Sequence, residues 1–388
     1  MKFVGVICEY NPFHLGHKKQ LDHIRSVFGE DCAIVCLMSG NFVQRGQPAI
    51  FDKSLRAEAA LRCGADLVLE LPVSYALSSA EGFAAGGVEI LSGFCDYLCF
   101  GAESGTEETL TETARALLSE AFSEKLRLQL DKGLSFPAAR QAALEEMGID
   151  SKILENPNDI LAVEYCKAIL AQNSHMKPMV IRRHGDYHAD TPDAENPSAT
   201  SLRALATEGA DWLAYVPQAA HAVLKNAPLH SLVFGQRAIL YRLRTMTDAE
   251  FEALPYGSEG LWRKLMHNSR SCAVLEDILT ETKSKRYTRT RLDRMVMCAF
   301  LGLTAQMLAE KAPYIRVLGF SQRGKIALKQ ARQVGMFPHI GEKTGCAYEQ
   351  LERRCDDLYG LFRSDGPDCA GITDKRRPFI HENCCKAD

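Results

Sequence analysis

The stretch Glu9-Tyr10-Asn11-Pro12-Phe13-His14-Leu15-Gly16-His17 follows an apolar run, Phe3 to Cys8, and opens an amphipathic one, His17 to Phe28. A short run apolar on both faces reads as a buried strand of a parallel sheet, and the periodic segment after it as a helix. The stretch therefore lies where a strand ends and a helix begins. In open α/β sheets that place faces the ligand crevice, and helix amides with the macrodipole favour phosphate there. His14 and His17 are three residues apart, on one face of the first helical turn. Both can donate to triphosphate oxygens as charge builds on departing pyrophosphate. Gly16 removes a side chain where base or ribose would press on the backbone. Taken alone, two histidines at a helix start read more readily as surface residues; the strand before and the helix after turn the reading to a nucleotide site.

Outward from this point the pattern repeats. Ala33 to Met38, Leu67 to Leu71 and Tyr97 to Phe100 read as further buried strands, and Lys53 to Cys63 and Ala80 to Leu91 as helices between them. Strand–helix alternation predicts right-handed crossovers in a doubly wound, Rossmann-like parallel sheet. Helical stretches follow over Glu107 to Leu130, over Pro137 to Met147 and after Asn158. Met179 to Arg183 reads as a further strand, and Ser198 to Ala206 as a short helix that closes the sheet. From about Ala210 the texture becomes helical without strong strand signals, for example over Leu232 to Arg244 and Met295 to Lys311. The expected division is an α/β nucleotide-binding domain over 1–210 and a mainly α-helical domain over 211–388, with a soft boundary because no Gly- or Ser-rich linker marks it.

Composition narrows the class. The 388 residues are 46% hydrophobic and 24% charged, enough for two cores. No apolar run is long enough to span a bilayer, and Met1 to Cys8 leads into folded pattern without a signal-like region, so a cytoplasmic protein is expected. Many of the 14 cysteines, including Cys8, Cys32, Cys36, Cys95 and Cys99, sit in apolar runs and read as reduced thiols. With a formal net charge of -3, attraction to nucleic acid requires a local basic surface.

The nine-residue stretch carries the HxGH signature of the nucleotidyltransferase superfamily, and as a whole it resembles the tRNA(Met) cytidine acetate ligase family. Met38-Ser39-Gly40-Asn41-Phe42-Val43-Gln44-Arg45-Gly46-Gln47-Pro48-Ala49 with Asp52-Lys53, Phe100-Gly101-Ala102-Glu103-Ser104, Asn156-Pro157-Asn158-Asp159-Ile160-Leu161, Arg182-Arg183, Tyr187-His188, Ser198-Ala199-Thr200-Ser201-Leu202-Arg203 and Lys285-Arg286-Tyr287-Thr288 fall in that family's order. The resemblance implies a ligase that joins acetate to ATP as acetyl-adenylate and then acetylates the exocyclic amine of the wobble cytidine of elongator tRNA(Met). Magnesium is expected on the ATP phosphates, and neither membrane nor DNA is an expected partner.

The resemblance also implies a set of nucleotide contacts: the run Ile7, Cys8, Glu9, Tyr10, Asn11, Pro12, Phe13, His14, Leu15, Gly16, His17, Lys18, Lys19 and Gln20, then Gly101, Asn158 and one arginine of Arg182-Arg183. Adjacent side chains on a strand point to opposite faces, so one of that pair faces the site; the spacing to Tyr187-His188 favours Arg183. Gly101 reads as an opening for adenine or ribose, or as a turn glycine. Asn158 reads as a base or ribose contact, or as a helix cap. By likeness to related nucleotidyltransferases, Ser198, Thr200 and Ser201 hold phosphates, with Arg203 one turn in to neutralise pyrophosphate; the alternative is an N-cap serine beside a surface arginine.

Asn41, Gln44, Arg45 and Lys53 follow the second strand and are expected at the crevice, where Arg45 is the candidate clamp for acetate or phosphate. Further along, Lys283 to Arg294 holds six basic residues and one acid. There Lys285, Arg286, Arg289 and Arg291 are candidates for RNA phosphates and Tyr287 for base stacking. Cys369, His381, Cys384 and Cys385 fit no common zinc spacing, so no protein-bound metal is expected. Two other readings are a cofactor-forming adenylyltransferase of the same fold and a nucleotide-sensing RNA-binding protein without turnover.

Overall fold

The computed structural model describes residues 1–183, 197–284, 287–334, 344–371 and 376–382. Nine strands are found among them: β1 (Lys2–Cys8), β2 (Cys32–Ser39), β3 (Phe42–Val43), β4 (Gln47–Pro48), β5 (Leu67–Leu71), β6 (Tyr97–Ala102), β7 (Lys177–Arg182), β8 (Val317–Ser321) and β9 (Phe379–His381). Seven form one sheet in the order β7-β6-β1-β2-β5-β8-β9, while β3 and β4 make a small antiparallel ribbon. The first five in chain order are all parallel. Strand order reverses between β1 and β6, so the crevice for a ligand opens at the carboxyl ends of that pair.

Alternation along the strands explains the layering. Ile7, Val35, Leu37, Leu67 and Leu69 face a core shared with the helices Ala80–Leu91, Glu107–Leu117 and Pro157–Ala171. Val4, Val6, Ile34, Cys36 and Val68 face the other side, under α1 (Leu15–Phe28) and α2 (Lys53–Arg62). Both faces are covered, which is why these strands are apolar throughout rather than alternating.

Beyond residue 211 the chain is mostly helical and builds a third core from helices Leu232–Thr245, Leu261–Ser271, Leu275–Thr282, Arg289–Leu301 and Ala347–Tyr359. Two strands not expected there join the sheet: β8 pairs antiparallel with β5, and β9 pairs parallel with β8. Two stretches expected as continuous helices are broken. Glu107 to Leu130 divides where Ser119 accepts the Phe122 N–H and caps a new helix, Glu120–Asp131. Met295 to Lys311 divides at Gly302, whose φ of 70° ends Arg289–Leu301 in the left-handed region. Among the described residues no helix is long and apolar enough to cross a membrane.

Candidate active site

A cavity of about 270 Å³ opens at the β1/β6 reversal. Its walls come from the end of β1 and the start of α1 (Ile7 to Asn11, His14, His17, Gln20), from Phe100 and Gly101 on β6, from Asn158 and Tyr165, and from Arg183, Ser198, Thr200 and Arg203. Gln44, Arg45 and Gln47 of the β3–β4 ribbon close the remaining side. Among the described residues Glu9 is the one carboxylate in this lining, against three arginines.

The two histidines are built into the helix start. His14 is the N-cap of α1: its Nδ1 accepts the Gly16 N–H at 3.1 Å, and its own backbone N–H donates to His17 Nδ1 at 3.3 Å. With both Nδ1 atoms accepting, each neutral ring carries its proton on Nε2 and has that N–H left to donate. Burial, reinforced by Arg183 and Arg203, lowers the His14 pKa to about 3. Burial, His14 and Arg183 together hold His17 well below its usual value. The pair is thus a neutral two-donor unit. His14 is 1% exposed and His17 half-buried, so the alternative of a plain surface pair does not hold.

Two glycines turn out to serve side chains. A Cβ on Gly16 would lie 2.9 Å from His14 Cε1, so this glycine makes room for the capping imidazole rather than for base or ribose. A Cβ on Gly101 would lie 2.7 Å from Arg183 Cδ, so Gly101 lets that arginine cross the end of β6 into the cavity. Arg183 lines the cavity and Arg182 does not. Asn158 does not cap; Asn156 holds the N-cap position of Pro157–Ala171. The Asn158 amide donates to Glu103 Oε1, and its oxygen faces Arg183 Nη1 at 3.4 Å. Glu103 also accepts the Asp159 N–H at 2.9 Å, while Asp159 accepts the N–H groups of Glu103 (2.8 Å) and Ser104 (3.0 Å). These reciprocal carboxylate bonds lock the β6 loop to a helix start and thereby aim Asn158.

Across the cavity, Ser198 caps Ala199–Glu208 by accepting the Ser201 N–H at 3.1 Å, and Ser201 is buried against it. Thr200 and Arg203 reach the cavity. Arg203 donates to Asn11 O at 2.8 Å and Thr200 Oγ1 at 3.1 Å, so the serine caps and the arginine also points at the site. Of the other residues in the expected nucleotide run, Pro12, Phe13, Leu15, Lys18 and Lys19 do not line the cavity. Phe13 is fully buried against Tyr10 and His17, and Lys18 pairs with Asp22.

Arg45 and Gln44 line the cavity, whereas Lys53 and Asn41 do not. Lys53 Nζ lies 2.6 Å from both Glu70 and Asp356, with Arg316 at 2.8 Å from Asp356 and Asn41 donating to it at 3.0 Å. This buried ion cluster ties α2 and β5 to the Ala347–Tyr359 helix. One residue absent from the expected set is Arg56, which is fully buried. Its guanidinium donates to the carbonyls of Phe51 (2.9 Å), Glu9 (2.5 Å), Ser39 (3.2 Å) and Gly40, gathering the strand-end carbonyls behind the cavity.

The described side chains of the basic tract are engaged by partners within the chain. Arg289 forms a two-pronged pair with Glu276 (2.6 and 2.7 Å) and a further bond to Asp293 (2.9 Å). Arg291 donates to Tyr256 O and Ser258, and Tyr287 donates to Glu259 at 2.8 Å. These side chains already serve intramolecular partners. Lys285 and Arg286 lie outside the described residues, as do Tyr187, His188, Cys384 and Cys385; Cys369 is exposed and His381 sits in β9.

Residues 1–367 match the HIGH Nucleotidyl Transferase family. The chain is 37% identical over 366 residues to the tRNA(Met) cytidine acetate ligase of Acetivibrio thermocellus, covering 88% of each chain. It is 35% identical to the protein of that name from Halothermothrix orenii, covering 98% of this chain and 99% of the relative. The solved structure of Thermotoga maritima TmcAL in its apo form superposes with a TM-score of 0.90 at 31% identity, over 98% of this chain and all of that one. The same protein bound with alpha-thio ATP superposes with a TM-score of 0.88.

Proposed function

Because the chain belongs to the HIGH nucleotidyl transferase family, together with the tRNA(Met) cytidine acetate ligases, we propose that its β1/β6 cavity binds ATP, forms acetyl-adenylate and passes the acetyl group to the wobble cytidine of elongator tRNA(Met). The observation that carries this reading is the pairing of two neutral imidazole donors with Arg45, Arg183 and Arg203 around a cavity whose described lining holds a single carboxylate. Such a lining suits a polyanion. Acetate oxygen attacks the α-phosphorus, and the bond to the bridging oxygen of pyrophosphate breaks. Arg203 and Arg183 offset the charge that collects on the leaving group, and the His14 and His17 Nε2–H groups donate to it. Donors fixed by a helix cap and a ring stack need no reorganisation when the charge arrives.

Acetate has to lie in line with the α-phosphorus. Arg45 is our candidate for its carboxylate, because it is the arginine contributed by the ribbon side rather than by the phosphate side of the cavity. In the second step the exocyclic amine of cytidine attacks the acyl carbon, AMP departs, and the amine proton leaves with solvent or phosphate. Magnesium would arrive on the triphosphate, since Glu9 Oε1 already accepts the Gln44 N–H at 2.8 Å and no other carboxylate lines the cavity among the described residues. Nucleotide chemistry belongs to residues 1–210 and RNA binding to residues 211–388, in the cytoplasm where transfer RNA is found.

The experiment is incubation with ATP, labelled acetate and an elongator tRNA(Met) transcript, followed by digestion to nucleosides. Label in N4-acetylcytidine is expected. Label in a small-molecule adenylate alone, or release of pyrophosphate that ignores acetate, would move the protein to another reaction of the same fold.

A further inference from the structure

The helix Leu232–Thr245 presents its buried side through Gly235, Ile239 and Leu243. Val233, Arg237, Tyr241 and Arg244 recur at helical spacing on the opposite side, and all four are exposed. Phe234 flanks this stripe. Tyr241 is 71% exposed and Phe234 48%, an unusual outlay of aromatic surface to leave in water. Packed beside it is the helix Leu261–Ser271. Neither helix contains an acidic residue, yet together they carry Arg237, Arg242, Arg244, Arg263, Lys264 and Arg270. The short helices packed against them, Asp248–Glu252 and Leu275–Thr282, carry Asp248, Glu250, Glu252, Glu276, Asp277 and Glu281, so the six basic residues are balanced locally rather than in excess. Arg242 and Arg270 pair with Glu250 and Asp248, but Arg237 has no such partner among the described residues.

We propose that this outward face, Phe234, Arg237 and Tyr241 with Arg263 on the neighbouring helix, docks the RNA substrate, the aromatic rings stacking on unpaired bases and the arginines meeting phosphates. The inference rests on the tRNA-acetylating function proposed above and supplies its binding surface. Exposed rings interleaved with arginines are the chemistry of single-stranded or loop RNA recognition, in which bases stack on the rings and phosphates meet the cations. The position also fits. The His230 N–H donates to Ile50 O at 2.9 Å, and the Ile50 N–H donates to Asn11 Oδ1 at 2.7 Å, so the helix begins two hydrogen bonds from a residue of the nucleotide cavity. The helix itself is roughly 21 Å long at the α-helical rise. The tract around Arg289 adjoins the same surface, since Lys264 Nζ donates to Lys283 O at 3.3 Å.

The test uses the full chain with Tyr241→Ala and, separately, Arg237→Ala with Arg263→Ala. Affinity for an elongator tRNA(Met) transcript is measured at two salt concentrations, alongside acetate-dependent pyrophosphate release without RNA and the thermal midpoint. Tyr241→Ala is expected to weaken binding about five- to a hundredfold. The double variant should flatten the logarithmic salt slope by about 0.7 to 0.9 per lost phosphate contact. Pyrophosphate release and thermal midpoint should match the parent. Parental affinity and slope in both variants would overturn the proposal, and so would lost self-association with unchanged RNA binding, which would give the face to a second copy. A parent chain that binds transcript and releases pyrophosphate with acetate, with both variants unchanged from it, overturns this inference alone; a parent that binds no transcript overturns the proposed function as well.

Discussion

The backbone N–H of His14 donates to Nδ1 of His17 at 3.3 Å, and the two imidazoles stack with their centroids 3.7 Å apart. One residue thus caps the helix and fixes the tautomer of the other. The consequence for substitution is asymmetric. His17→Ala removes a donor and should lower acetyl-adenylate formation about a hundredfold to a thousandfold with a near-parental thermal midpoint. His14→Ala should do the same and in addition lose about 1 kcal/mol of stability through the missing cap, which His14→Asn should restore. Steady-state pyrophosphate release and urea unfolding of the three variants check this. Equal stability of His14→Ala and His14→Asn would remove the capping role.

The depressed histidine pKa sets a pH dependence. His14 titrates near 3 in the folded chain and near 6.5 when unfolded, so above pH 6.5 both states are neutral and nothing is lost. As pH falls from 6.5 towards 3, the unfolded chain takes up the proton first, and stability declines through that window. Wild type should therefore lose more stability between pH 7.5 and 5 than His14→Asn does, as read by urea unfolding at each pH. Parallel loss in the two proteins would contradict a buried neutral His14.

Gly101→Ala tests the route of Arg183 into the cavity. The added carbon would meet the arginine side chain at 2.7 Å, so the guanidinium must leave its place. Losing one charge-assisted hydrogen bond is worth about 1.5–3 kcal/mol, and KM for ATP should rise about ten- to a hundredfold with the fold intact. Arg183→Ala should match it, and the double variant should be no worse than either alone. Additive losses would give Gly101 a contact of its own with the nucleotide.

Lys53 was expected at the crevice because it follows the second strand, and its actual partner explains why sequence could not place it. Asp356 lies 303 residues further along the chain, on a helix whose packing no local pattern announces. Arg56 is the same case: its partners are backbone carbonyls brought together only when two strands lie side by side. Leu67–Leu71, by contrast, was legible from end to end, because a strand covered on both faces must be apolar at every position. Val317–Ser321 was not, being five residues with a central glycine amid helical sequence and held by antiparallel pairing to β5. The HxGH site was readable because its geometry is local to one helix turn. The intramolecular pairings of Arg289 and Arg291 depend on Glu276 and Tyr256 and were invisible in the tract itself.

That distant pairing carries its own prediction. Lys53→Met leaves Glu70 and Asp356 buried with Arg316 as the remaining strong cation, and should cost about 3 kcal/mol or more in urea unfolding. Acetyl-adenylate formation should persist below the unfolding transition, because Lys53 does not line the cavity. A stable variant that cannot form adenylate would return Lys53 to the active site.

The central claim is that the β1/β6 cavity makes an acyl-adenylate without help from RNA. It is tested most directly by exchange of labelled pyrophosphate into ATP, with and without acetate and in the absence of tRNA. The account predicts exchange that requires acetate, needs no tRNA and disappears in His17→Ala. Exchange that proceeds without acetate, or that survives undiminished in His17→Ala, would contradict it.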